Sequence, residues 1–154
     1  MTVQRLSHIG ICVSDLERSV DFYQHVLGFE ELSRLLVAGP EAAKLLAIEN
    51  VELQAVYLER DGTRIELLHY PAAGHQGDAV PVPMNRLGFT HLSLRIDDLD
   101  SIKQAIEQAG GTTLADTLVE KEEWGTKALF VTDPDGLRIE LLQAPGDPNA
   151  LPGA

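Results

Sequence analysis

The sequence predicts an α+β fold of two tandem βαβββ modules. Three observations predict it: a repeated strand-ending motif, a repeated strand-opening histidine, and an amphipathic helical stretch after each opening strand. Asp61-Gly62-Thr63-Arg64-Ile65-Glu66-Leu67-Leu68-His69-Tyr70-Pro71 matches Asp135-Gly136-Leu137-Arg138-Ile139-Glu140-Leu141-Leu142-Gln143-Ala144-Pro145 at eight of eleven positions. Leu6-Ser7-His8-Ile9-Gly10-Ile11 shares an apolar frame with Phe89-Thr90-His91-Leu92-Ser93-Leu94, and His91 lies 83 residues after His8. The same offset carries Asp15-Leu16 onto Asp98-Leu99 and Gly28 onto Gly111. By the closing motif the offset has fallen to 74, so the first copy holds nine extra residues between Gly28 and Asp61, read as a loop or helix insertion.

Each copy opens with a short strand around its histidine, where apolar residues alternate as a half-buried sheet requires. Ser14 with Glu17 reads as a capping box for the first helix, and Leu16, Val20, Tyr23 and Leu27 fall at helical spacing before Gly28. Asp97 is the expected cap of the second helix, whose face is Leu99, Ile102, Ile106 and Ala109, ending at Gly110-Gly111. Three strands complete each copy: about 29–37, 51–59 and 63–70, then about 112–120, 126–132 and 137–143. Asp61-Gly62 and Asp135-Gly136 supply the expected hairpin turns. The chain, 1–154, thus reads as one domain with modules 5–71 and 88–145. A Pro- and Gly-punctuated connection, 72–87, joins them, and 146–154 reads as a flexible tail.

The 154 residues carry 24 acidic and 12 basic side chains, a net charge of −12, with 44% hydrophobic and 23% charged residues. That composition suits a soluble globular protein, and no apolar run approaches the roughly 18 residues a membrane helix needs. No secretory signal opens the chain, so a cytoplasmic location is the expectation. An acidic surface without a Lys/Arg cluster repels nucleic acid and anionic lipid. Cys12 is the only cysteine, so an internal disulfide is impossible and any metal is left to nitrogen and oxygen ligands.

Pairing of a duplicated unit with its copy would place His8 opposite His91 and Glu66 opposite Glu140, which is four ligands. Two neutral imidazoles and two carboxylates balance a divalent cation and suit Zn, Ni, Co, Mn or Fe better than Ca. Taken singly, each of the four is ordinarily a satisfied or solvated strand residue. Recurring as two symmetric pairs, they read as a metal site. His69, three residues from Glu66, projects to the opposite face, His25 lies late in the first helix and His75 in the connection, so all three read as structural or surface residues.

The repeated unit, the His8 strand, Phe22-Tyr23 … Leu27-Gly28-Phe29 and Asp133-Pro134-Asp135-Gly136 … Glu140-Leu141 resemble the vicinal oxygen chelate superfamily over residues 5 to 145. The resemblance implies a cupped mixed sheet around a metal, with His8, Glu66, His91 and Glu140 as ligands. It also implies a small-molecule substrate and commonly a homodimer, the modules pairing within one chain or between two. A carboxylate at the Glu66 position is glyoxalase-like, and epimerase-like members commonly carry Gln there. Both chemistries remove a proton next to a carbonyl while the metal stabilises the enediolate. By resemblance the base is Glu140 or Glu66, or, as in epimerases, Glu52. Arg34, Arg86, Trp124 and Lys127 lie in segments suited to rim the cup and contact substrate, Trp124 from a loop tip. Two alternatives stand beside this reading. One is ring-cleaving oxygen chemistry at ferrous iron, for which two His and one carboxylate suffice. The other is a non-enzymatic module that sequesters an antibiotic or metabolite.

Overall fold

The computed structural model describes residues 2–150. Chain contacts divide it into two compact units, Met1–Gly77 and Asp78–Ala154, the boundary falling inside the connection. Among the described residues no helix is long and apolar enough to cross a membrane.

The first unit runs β1 (Ile9–Cys12), α1 (Leu16–Asp21, continued by a π-helical turn Phe22–Val26), β2 (Glu30–Ala38), α2 (Pro40–Leu46), β3 (Glu52–Arg60) and β4 (Thr63–His69). Its sheet has the order β1-β4-β3-β2, with β1 parallel to β4 and the other pairs antiparallel. A helical crossover is what a parallel pair requires, and α1 supplies it. Strand alternation sends Ile65 and Leu67 of β4, and Val56 and Leu58 of β3, to the face packed by α1. All four are fully buried, as are Val20, Tyr23 and Leu27 of the helical segment. Each such aliphatic side chain stabilises the fold by roughly 1.5–3 kcal/mol. The insertion in the first copy folds as α2, which packs on the other sheet face, Ala42, Ala43 and Leu46 meeting Val37, Leu53, Ala55 and Leu68. It covers part of that face, and Tyr57 is not among the residues of its cluster.

The second unit repeats the plan: β5 (His91–Ile96), α3 (Leu99–Gln108), β6 (Thr112–Thr113), β7 (Val119–Lys121), β8 (Thr126–Thr132) and β9 (Arg138–Gln143). The order is β5-β9-β8-β6, with β7 also on β8 and β5 parallel to β9. Ile139 and Leu141 are fully buried, as their counterparts Ile65 and Leu67 are.

Several local expectations are corrected. The first helix is capped by Asp15, whose Oδ1 accepts from the Arg18 amide at 3.0 Å, and Ser14 instead accepts from the Arg18 guanidinium at 2.8 Å. The second is capped by Asp98, not Asp97: Asp98 accepts from the Asp100 and Ser101 amides and, at 2.5 Å, from the Ser101 hydroxyl, which holds its carboxyl below the usual range. The segment 112–120 is two short strands around a 3₁₀ turn, Ala115–Thr117. The Thr117 hydroxyl takes the Phe130 amide at 2.9 Å, replacing a ladder bond with a side chain. Asp61-Gly62 forms a two-residue turn with φ of 51° and 76°, as a type I′ hairpin demands. Asp135-Gly136 does not: β8 and β9 are joined by residues 133–137, where buried Asp133 accepts from the amides of Asp135 and Leu137, both at 2.9 Å.

The glycines that end the two helices also differ from the expected match. The left-handed residue is Gly28 in one copy and Gly110 in the other, so the offset drops from 83 to 82 between cap and helix end. The π-helical turn explains this, because it absorbs one additional residue within α1. Gly111 serves another purpose, since a Cβ there would lie 2.4 Å from the Thr132 carbonyl oxygen and 2.6 Å from Ile106 Cγ2. Gly111→Ala is therefore expected to cost about 1–3 kcal/mol through overpacking. Gly62→Ala, with a φ of 76° and open space around it, is expected to cost about 1 kcal/mol from backbone strain alone. Chemical denaturation of both variants checks the ranking.

Candidate functional site

In each unit one histidine and one glutamate meet on the sheet face opposite the long helix. His8 precedes β1, whose Gly10 is in register with Glu66 on β4, and His8 Nε2 lies 3.0 Å from Glu66 Oε2. In the second unit Ser93 on β5 is in register with Glu140 on β9, and His91 Nε2 lies 3.8 Å from Glu140 Oε2. The Ile-Glu-Leu runs explain how an acid sits inside an apolar stretch. Ile and Leu enter the core, and the intervening glutamate emerges on the accessible face, its side chain 14% exposed at Glu66 and 30% at Glu140.

Hydroxyl groups hold both pairs. Ser7 Oγ is hydrogen-bonded to His8 Nδ1 at 3.0 Å, and Thr90 Oγ1 to His91 Nδ1 at 2.8 Å, so each ring turns Nε2 toward its carboxylate. Tyr57, in register with Glu66, donates to that carboxylate. Ser93 donates to Glu140 Oε2 at 2.7 Å. Bonding to the Glu66 carboxylate, with burial, pushes the Tyr57 hydroxyl up to about 12. An aromatic ring stands edge-on to each imidazole, Tyr57 at 5.2 Å from His8 and Phe130 at 5.4 Å from His91. Within either unit the ligand types come as a pair, and neither unit by itself gathers three or more His, Cys, Asp or Glu side chains for a metal among the described residues.

The remaining candidates are not brought to these pairs. Glu52 opens β3 opposite Ala38, exposed, on the alternate strand face from Tyr57 and Glu66. Arg34 is opposite Val56 on the α1 side, where its guanidinium bonds the carboxylates of Glu17 and Glu31, which hold it charged above its ordinary value. Lys127 is opposite Gln143, alternate to Glu140, and pairs with Glu120 at 2.9 Å. Arg86 is exposed in the segment before β5. Trp124 is at a loop tip as expected, in the 3₁₀ turn Glu122–Trp124, 58% exposed with Lys121 Nζ 4.2 Å above its ring. His69 does project away from Glu66, its Nδ1 lying 3.3 Å from the Val13 carbonyl oxygen.

Sequence reasoning missed Tyr57, Phe130, Ser93 and the hydroxyls before each histidine. The signal for Tyr57 was present, because a two-residue turn at Asp61-Gly62 counts back to place Tyr57 opposite Glu66.

A family model for the Glyoxalase/Bleomycin resistance protein/Dioxygenase superfamily matches residues 5–141. A lactoylglutathione lyase of Neisseria meningitidis is 31% identical over 140 residues, covering 90% of each chain. A metallothiol transferase FosB of Lysinibacillus sphaericus is 28% identical, covering 92% of this chain and 83% of its own. A crystal structure of a glyoxalase family protein from Bacillus cereus superposes with a TM-score of 0.80 at 19% identity, over 95% of this chain and 97% of that one, a likeness of fold. With the match spanning nearly the whole of both βαβββ copies, the chain belongs to the Glyoxalase/Bleomycin resistance protein/Dioxygenase superfamily.

Proposed function

We propose that this chain is a divalent-metal-dependent enzyme of glyoxalase or epimerase type, acting on a small 2-oxo or 2-hydroxy acyl compound. His8 and Glu66 from one unit, with His91 and Glu140 from the other, are the proposed ligands of one ion, the two pairs coming from one chain or from two copies in a homodimer. The observation that carries this reading is that each copy independently turns an imidazole Nε2 toward a carboxylate and ties Nδ1 to a hydroxyl. The likeness to a lactoylglutathione lyase over nine tenths of both chains supports it.

The donor set fits such an ion. Two imidazoles and two carboxylates balance its charge, and the nitrogen and oxygen donors suit Zn, Ni, Co, Mn or Fe. The Ser7 and Thr90 hydroxyls can either donate or accept, so each follows the ring when Nε2 gives up its proton to become a ligand. A divalent ion held there would bind two neighbouring substrate oxygens and stabilise negative charge developing on them. The chain's own carboxylates take the proton from the adjacent carbon. Glu66, bonded by Tyr57 and closest to its histidine, is the more restrained, and Glu140, bonded by Ser93 but more exposed and farther from its histidine, has the greater range toward that carbon.

Chelator-treated protein titrated calorimetrically with Ni²⁺ or Zn²⁺ is expected to take up one ion per chain. Ser7→Ala should weaken uptake by roughly 10–100-fold, the usual effect of an outer-sphere partner, and His8→Ala or Glu140→Ala by more. Uptake indifferent to His8→Ala would refute the assignment. In the metal-free protein Tyr57 is expected to keep its proton until about pH 12, because its bond to an anionic acceptor is lost on ionisation and burial disfavours the phenolate. Glu66→Gln removes that charge and should return the transition toward the ordinary value near 10. The ¹³Cζ resonance of Tyr57 followed against pH reads this directly.

A further inference from the structure

The internal repeat provides its own control for one residue that none of the assignments above uses. Arg64 and Arg138 occupy the same place in the duplicated motif, two residues before each glutamate and on the same strand face as it. In the first copy the residue in register with the arginine is Glu59, and Arg64 Nε donates to its Oε2 at 2.6 Å. In the second copy the position in register is Thr132, buried, and Arg138 has no carboxylate partner among the described residues. The copies differ at a second position too: Tyr57, bonded to Glu66, is replaced by Phe130 in register with Glu140. The Phe130 ring takes the Arg138 guanidinium at 5.7 Å and stands against His91 at 5.4 Å.

In this chain of net charge −12, Arg34, Arg60, Arg64, Lys103 and Lys127 find carboxylates, whereas Arg138, like Arg95, is bonded to backbone carbonyl oxygen. Arg138 is also positioned. Its Nε donates to the Val82 carbonyl oxygen at 2.9 Å, which with the ring beneath it orients the plane and leaves the two terminal nitrogens to donate elsewhere. The two-residue spacing sets Arg138 and Glu140 about 7 Å apart along β9, and the Arg138 backbone is in register with His91. That is the separation between the chelating end of a short acyl compound and a carboxylate a few bonds further along it.

We propose that Arg138 binds a second carboxylate of the substrate, so that the preferred ligands are 2-oxo diacids over 2-oxo monoacids. This rests on the reading of His91 and Glu140 as metal ligands. The acidic chain as a whole repels an additional negative charge, so a preference for the diacid must come from a local cation.

The test is calorimetric titration of Ni²⁺-loaded protein with 2-oxoglutarate and with 2-oxopentanoate, which replaces the second carboxylate with a methyl group. The wild type is expected to bind the diacid about tenfold or more tightly, as a charge-assisted bidentate bond would give. Arg138→Gln should erase that preference and leave 2-oxopentanoate within about twofold, while Arg138→Lys, keeping charge without the planar fork, should fall between. In the wild type the Arg138 ¹⁵Nε resonance should move with 2-oxoglutarate and stay with 2-oxopentanoate, a readout that does not depend on any variant folding. Equal affinities in the wild type, or a preference surviving Arg138→Gln, overturns the assignment of Arg138 alone. Failure of both acids to bind in the presence of Ni²⁺ overturns the chelation reading and this inference with it.

Discussion

Alternation along one strand is the constraint on which both candidate pairs depend. In Ile65-Glu66-Leu67 and Ile139-Glu140-Leu141 the flanking aliphatic side chains are fully buried under the long helix of their unit. The glutamate between them has no choice but to emerge on the opposite face. A slip of one residue would drive a carboxylate into the core at a cost of several kcal/mol, so the hydrophobic packing that stabilises each sheet also enforces where its acid points. Fold stability and site geometry are in this sense a single requirement, met twice.

The two copies satisfy that requirement and then diverge around it. On the face that bears Glu66, the first unit adds α2, pairs Arg64 with Glu59 and bonds the acid through Tyr57. On the face that bears Glu140, the second has among the described residues no such helix and no carboxylate on Arg138, and bonds its acid through Ser93. Gly10, which stands where Ser93 does, offers no side chain at all. The first unit is therefore the more internally satisfied and the second keeps more hydrogen-bonding capacity for something outside the protein. The single residue absorbed by the π-helical turn of α1 shows how such divergence is accommodated, since the cap and the left-handed glycine at either end of the helix keep their roles.

What failed to be legible did so for recognisable reasons. Helix caps slipped by one residue because Ser14, Asp15, Asp97 and Asp98 are all competent acceptors, and only the approach of the chain selects between neighbours. The second strand of the second copy, 112–120, broke because the Thr117 hydroxyl competes with a backbone partner, which pattern reading does not weigh. Arg34, Lys127 and Glu52 were reasonable as rim residues by segment. The parity of their strands puts each on the face away from the glutamate, where Arg34 and Lys127 are consumed by carboxylates.

Duplication and the coarse element order could be read from the chain alone, because periodicity and spacing are local properties that a linear string records, and the superfamily was legible as a resemblance of motifs. The partner of each polar side chain was decided only in the folded structure. Tyr57 with Glu66, Thr117 with the Phe130 amide and Arg138 with the Val82 carbonyl are residues 9, 13 and 56 positions apart. Their meeting depends on strand register and loop path, which are set by packing across the whole unit.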